Sequence, residues 1–191
     1  MKAVFIATVV LAIFASAVIF FNQPQTSKPS PSLDASQTEA PLFEIIVQNL
    51  EVPWALAFLP DGSILVTERA GTVKLVKDGK TSAIANIKVK QIGESGLHGI
   101  AIHPKYPNPS YVYLYYTYSA DNNNSQNKVS RFTFDGQTLK DEQVIVDKIP
   151  GALFHDGGRI KFGPASTQRG EPDGYLYITT GDAQNPSLSQ N

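Results

Sequence analysis

The sequence predicts an all-β fold built from repeated blade-like sheets, and three observations carry that expectation. A strand–turn–strand unit occurs three times: WALAFLPDGSILVT (54–67); LHGIAIHPK (97–105), running on to YVYLYYT (111–117); and GRIKFGP (158–164), resumed at DGYLYITT (173–180). Each copy joins a short apolar strand, through a turn centred on Pro60, Pro104 or Pro164, to a second β-rich strand ending in Thr. The first two prolines lie within the interval of roughly 40–50 residues that marks propeller repeats. Period-two alternation and turn dipeptides recur along the body, and outside the leader no window shows apolar residues at helical spacing. This is the pattern of a β-propeller blade. About four to eight such blades close a ring, so three copies are expected to form a partial propeller with exposed edges that favour self-association.

Taken in order, Lys2 precedes an apolar run over 3–21. That pattern reads as either a signal peptide or an N-terminal membrane anchor, because a small-residue site at Ala15-Ser16-Ala17 is followed by further apolar residues. Lys2 favours an inside N-terminus, so the body is expected to be exported: periplasmic, extracellular or anchored and facing outward. Residues 22–41, rich in Pro, Ser, Gln and Thr, form a flexible linker. The partial propeller is assigned to 42–191. It begins with a strand over 42–48 and a turn over 49–53. The first blade continues through TVKLV (72–76), turns at Asp78-Gly79 and pairs with 81–87. A second blade starts at Gly99, follows the Tyr-rich strand, crosses a polar loop over 119–126, returns over 129–134 and ends near Val146. The third copy is interrupted by an inserted surface loop over 165–172.

Composition narrows the function. Net charge is −1 with acidic and basic residues interspersed, so no basic stripe exists for a phosphate backbone and nucleic acid is not an expected partner. Cysteine is absent, which removes disulfides, thiolate metal sites and thiol nucleophiles together. The tyrosines of 111–118 suit packing on both faces of a blade better than a ligand-stacking platform.

Propeller sites surround the central channel, where innermost strands converge. Two ionisable groups stand just ahead of such strands: Glu94 in GESGL (93–97) and His155 in FHDGG (154–158). A neutral imidazole can take a proton from a hydroxyl near neutral pH, and a carboxylate one blade away can orient that hydroxyl.

With these residues in place the sequence resembles the soluble PQQ-dependent sugar dehydrogenases, also called glucose/sorbosone or aldose sugar dehydrogenases. The motifs that match are PWALAF (53–58), 62–69, GESGL (93–97), His103-Pro104, HDGGR (155–159) and YITTGD (177–182), and the resemblance runs from about residue 43 to 191. It implies a six-bladed β-propeller holding PQQ and calcium, and oxidation of an aldose at its C1 hydroxyl to the lactone with electrons passed to an external acceptor. It implies that His155 is the general base and that Glu94 contacts the sugar, while the protein supplies position and the cofactor the redox chemistry. Phe154 stands where some members carry a further sugar-binding Asp, so that contact is not carried over. The family's calcium ligands and basic PQQ-binding residues fall mostly beyond Asn191, so the chain is expected to be an incomplete form. No metal ligand and no PQQ-binding residue is therefore assigned.

For the remaining candidates, His103 is expected to be a turn residue and Asp182 to bond backbone amides in the turn after its strand. Arg159 is expected in an ion pair or blade packing, and His98 in the core or at the channel rim. The loop 121–124 lacks the ligand alternation of a calcium loop. Two alternatives to the enzyme stand beside it: a non-catalytic exported propeller binding carbohydrate or protein, and a truncated product without function.

Overall fold

The computed structural model describes residues 43–163 and 174–189. Within the compact unit 45–191, strands β1 (Pro53–Phe58), β2 (Ile64–Glu68), β3 (Thr72–Lys77) and β4 (Lys80–Asn86) form one antiparallel four-stranded sheet in the order β1-β2-β3-β4. A second sheet repeats that order with β5 (Leu97–Ile102), β6 (Tyr111–Ser119), β7 (Ser125–Phe134) and β8 (Leu139–Pro150). A third sheet contains β9 (Gly157–Phe162) and β10 (Leu176–Thr180). Among the described residues the third copy thus contributes two strands. Each of the three repeats places its apolar segment on the first strand of a sheet.

Alternation explains how the blades stack. Along β6, Val112, Leu114 and Tyr116 point to one side and join Leu59, Leu65, Val73 and Ile84 of the first blade in one core. Tyr113 and Tyr115 point to the other side and pack with Val129 and with Ile160 of β9. Both faces of β6 are buried, which is why that strand reads as a nearly continuous apolar and aromatic run. The tyrosines serve packing, as expected. Asp78 and Gly79, at φ 51° and 69°, make the tight turn between β3 and β4.

Several expectations need correction. Residues 43–50 form no strand, and Phe43, Ile45 and Ile46 are exposed. An alternating apolar segment becomes a strand only where a neighbouring edge takes its backbone groups, and no described strand lies beside this one. The polar loop after β6 is shorter than expected, spanning 120–124. Strand β8 continues past Val146 to Pro150, and its pairing with β7 tolerates this through register shifts, with Asp141 and Lys148 at positive φ. Residues 1–21, the linker 22–41 and the inserted loop 165–172 lie outside the described residues. Among the described residues no helix is long and apolar enough to cross a membrane.

Candidate active site

Strands β9 and β10 pair antiparallel, with Gly157 opposite Thr180. Extending that register by two residues brings His155 opposite Asp182. The imidazole Nδ1 lies 2.9 Å from Asp182 Oδ1, and the His155 side chain remains 61% exposed. With Nδ1–H donating to the carboxylate, Nε2 carries the free lone pair and faces the open side as a proton acceptor.

The loop holding this base is over-determined. His155 has φ 64°, a left-handed conformation that costs a side-chain-bearing residue about 1–2 kcal/mol. Its N–H donates to Glu94 Oε2 at 2.9 Å, and its carbonyl accepts from Ala183 N–H at 3.1 Å. Gln184 Oε1 accepts from the backbone of Leu153 and Phe154, and Asp182 Oδ1 also takes the Gln184 N–H. Gly181 permits the close approach: a Cβ there would stand 1.8 Å from the His155 carbonyl oxygen.

Two adjoining clefts meet at this loop. One, of about 500 Å³, is lined by His155, Thr180, Gly181, Asp182, Leu188 and Ser189. The other, of about 460 Å³, is lined by Val52, Trp54, Arg69, Glu94, His98, Asp156 and Gly157. The Glu94 carboxylate stands at their junction through its bond to His155. Both residues proposed from sequence therefore come together, although part of Glu94 is already committed to the protein backbone.

Around Trp54, which lines the second cleft, Arg159 lays its guanidinium 4.1 Å from the ring centre, and His98 stacks on Trp54 at 4.8 Å and on Tyr115 at 5.8 Å. Arg159 thus belongs to blade packing. His98 is a core residue: burial pushes its pKa below the ordinary histidine value, so it is neutral near pH 7. Its Nε2–H donates to the Glu94 carbonyl, and Gly158 leaves room for Nδ1, from which a Cβ would be 2.8 Å away. His103 accepts the Lys105 N–H in its turn, as expected.

Asp182 is the residue whose role sequence reading placed too narrowly. It does bond a turn amide, and it also orients the imidazole. The signal was present: a hairpin pairing of β9 with β10 sets 155 opposite 182. Asp156 carries no such signal: a carboxylate beside two glycines has the composition of a turn, whereas it is buried.

The model for the Glucose / Sorbosone dehydrogenase family matches residues 50–191. The chain belongs to this family. A structure from Thermus thermophilus, provisionally described as an oxidoreductase (glucose dehydrogenase), is 44% identical with a TM-score of 0.69, covering 77% of this chain and 42% of its own. The PQQ-bound form of aldose sugar dehydrogenase from Streptomyces coelicolor is 32% identical, with a TM-score of 0.67, over 78% of this chain and 43% of that one. Quinoprotein glucose dehydrogenase B from Acinetobacter calcoaceticus is 30% identical over 73% of this chain and 30% of its own length. The chain therefore spans less than half the length of these relatives. Such dehydrogenases are β-propellers, and the all-β sheets described here are the matching part of that fold.

Proposed function

We propose that the whole protein oxidises an aldose at its C1 hydroxyl to the lactone, with His155 as the general base. The carrying observation is the His155–Asp182 pair, which fixes the imidazole with Nδ1 as donor and leaves Nε2 free on a largely exposed ring that lines the cleft of about 500 Å³. In this reading Nε2 takes the C1 hydroxyl proton, Asp182 stabilises the imidazolium that forms, and Glu94 contacts the sugar with its remaining oxygen. In this reading PQQ with calcium, when bound, would supply the two-electron acceptor for the C1 hydrogen, with an external acceptor downstream.

The described residues do not by themselves fit that cofactor. PQQ carries three carboxylates, whereas the cleft beside Glu94 is lined by one guanidinium, Arg69, together with the carboxylates of Glu94 and Asp156. Among the described residues there is no cluster of three or more ligating side chains for a metal ion. These blades are therefore assigned the base and the sugar contact, and no step is drawn through the cofactor.

The test is dye-coupled oxidation of a panel of aldoses by the protein carrying all its blades, with PQQ and calcium added. His155→Ala is expected to lower kcat by about 10²–10⁴-fold, the range of a positioned base. Unchanged turnover in that variant overturns the assignment.

A further inference from the structure

We infer that Asp156 is a positioning residue that locks the loop carrying the base, an inference that rests on the reading of His155 as that base. Asp156 is 2% exposed and lies one residue beyond the strained His155. Its Oδ1 accepts the Ala152 N–H at 2.9 Å and the Asn127 amide at 3.1 Å, and its Oδ2 lies 2.7 Å from Ser95 Oγ. Its own carbonyl accepts the Tyr115 hydroxyl at 2.8 Å. The side chain thereby closes residues 152–156 into a loop and fastens it to β7 and to the turn ahead of β5, while the Asp156 carbonyl fastens it to β6.

The consequence for the site follows from adjacency. Ser95 is the neighbour of Glu94 and Asp156 the neighbour of His155, so the buried Ser95–Asp156 bond sets the register of the exposed Glu94–His155 bond above it. The left-handed conformation of His155 is costly alone and persists only where its surroundings enforce it. Asp156 enforces it from inside the protein, and the imidazole is thereby held within reach of Asp182.

The network also dictates which replacement should work. Ser95 Oγ lies 2.8 Å from the Ala152 carbonyl and 2.7 Å from Asp156 Oδ2, yet its single proton can serve only one of them. An asparagine at 156 would keep its carbonyl toward Ala152 and Asn127 and donate its amide to Ser95 Oγ, freeing the serine proton for Ala152. Asp156→Asn is therefore compatible with every bond. Asp156→Ala removes the side-chain bonds of this network, leaving the Ala152 N–H and one Asn127 donor unmatched.

The experiment uses the full 191-residue chain with ¹⁵N-labelled histidine, whose three imidazoles report separately. In the unaltered chain His155 is expected as a single Nδ1–H tautomer. Asp156→Ala should give an average of both tautomers and speed exchange of the His155 backbone N–H roughly tenfold, the protection lost with one such bond. Asp156→Asn should keep the single tautomer. Retention of that tautomer in a folded Asp156→Ala chain, or an Asp156→Asn chain that behaves like Asp156→Ala, overturns the inference. Should Asp156→Ala fail to fold, seen as lost dispersion of His98 and His103, Ser95→Ala decides in its place: tautomer averaging supports the lock and an unchanged spectrum overturns it. The readout needs no turnover, so absence of aldose oxidation would refute the proposed function and leave this result standing.

Discussion

Gly181→Ala isolates the geometry of the site in a single methyl group. The added Cβ would stand 1.8 Å from the His155 carbonyl oxygen and 2.5 Å from its carbonyl carbon, where ordinary contact begins at 3.4 Å. The backbones of the two loops must part by about 1.6 Å to admit it. The His155–Asp182 bond, 2.9 Å long and made by the residue next to Gly181, does not survive a displacement of that size. Because both contact atoms are backbone, no rotamer change relieves the clash, and a cost of about 1–3 kcal/mol is expected. Gly62→Ala is the contrast: Gly62 has φ 83° with nothing within 4 Å, so it carries a left-handed conformational cost without a clash, whereas Gly181 has the clash without a left-handed φ. Urea unfolding of both variants, with the His155 Nδ1–H resonance followed in each, measures the two effects. In the complete protein, misplacement on this scale should cost on the order of 10² in turnover. A Gly181→Ala chain as stable as the parent, with the His155 resonance unmoved, would refute the close-approach argument.

Other outcomes follow from the same description. Leu65→Ala, at a fully buried position between the first two blades, should destabilise by about 2–5 kcal/mol in urea titration. The Ser63 hydroxyl, then the Lys77 ammonium, hold the Asp61 carboxyl down at a pKa of about 2, so its contribution is complete above pH 4 and fades as pH falls toward 2. Asp61→Asn should flatten the acid limb of the stability profile there; an identical profile would disprove the assignment. Strand β1 leaves Leu56 and Phe58 exposed by 57% and 66%, so the chain is expected to self-associate, and Phe58→Lys should shift sedimentation toward monomer. Export through residues 1–21 is checked by fractionation of a tagged protein, with the body expected outside the cytoplasmic membrane.

Much of the fold was legible because blade repeats carry their own punctuation. The proline turns after β1 and β5 and the Asp78-Gly79 hairpin set strand limits through local chemistry. Residues 42–48 misled for the complementary reason: their alternation is real, but a strand exists only with a partner, and pairing is not written in the segment itself. At the site, His155 and Glu94 were found because each is an ionisable group placed just ahead of an innermost strand. Asp182 was recognised only as a turn former, since its contact to the base emerges from the β9–β10 register. Asp156 was invisible for another reason. Its burial results from three elements converging on one side chain, and a carboxylate next to glycine carries no mark of that convergence.

Trp54 is the one tryptophan of the chain, and it lines the cleft beside Glu94. Its indole is bracketed by groups from other sheets, His98 of β5 on one side and the Arg159 guanidinium of β9 at its ring. Tryptophan emission, excited apart from the eight tyrosines, therefore comes from the cleft alone. A chromophoric ligand entering beside the indole would quench that emission, and a sugar without absorbance would shift its wavelength by displacing solvent. Separation of the inner strands would remove both stacking partners and move the same signal in the absence of any ligand. The protein thus carries a native optical gauge of occupancy and of blade closure, readable without a label or a substitution.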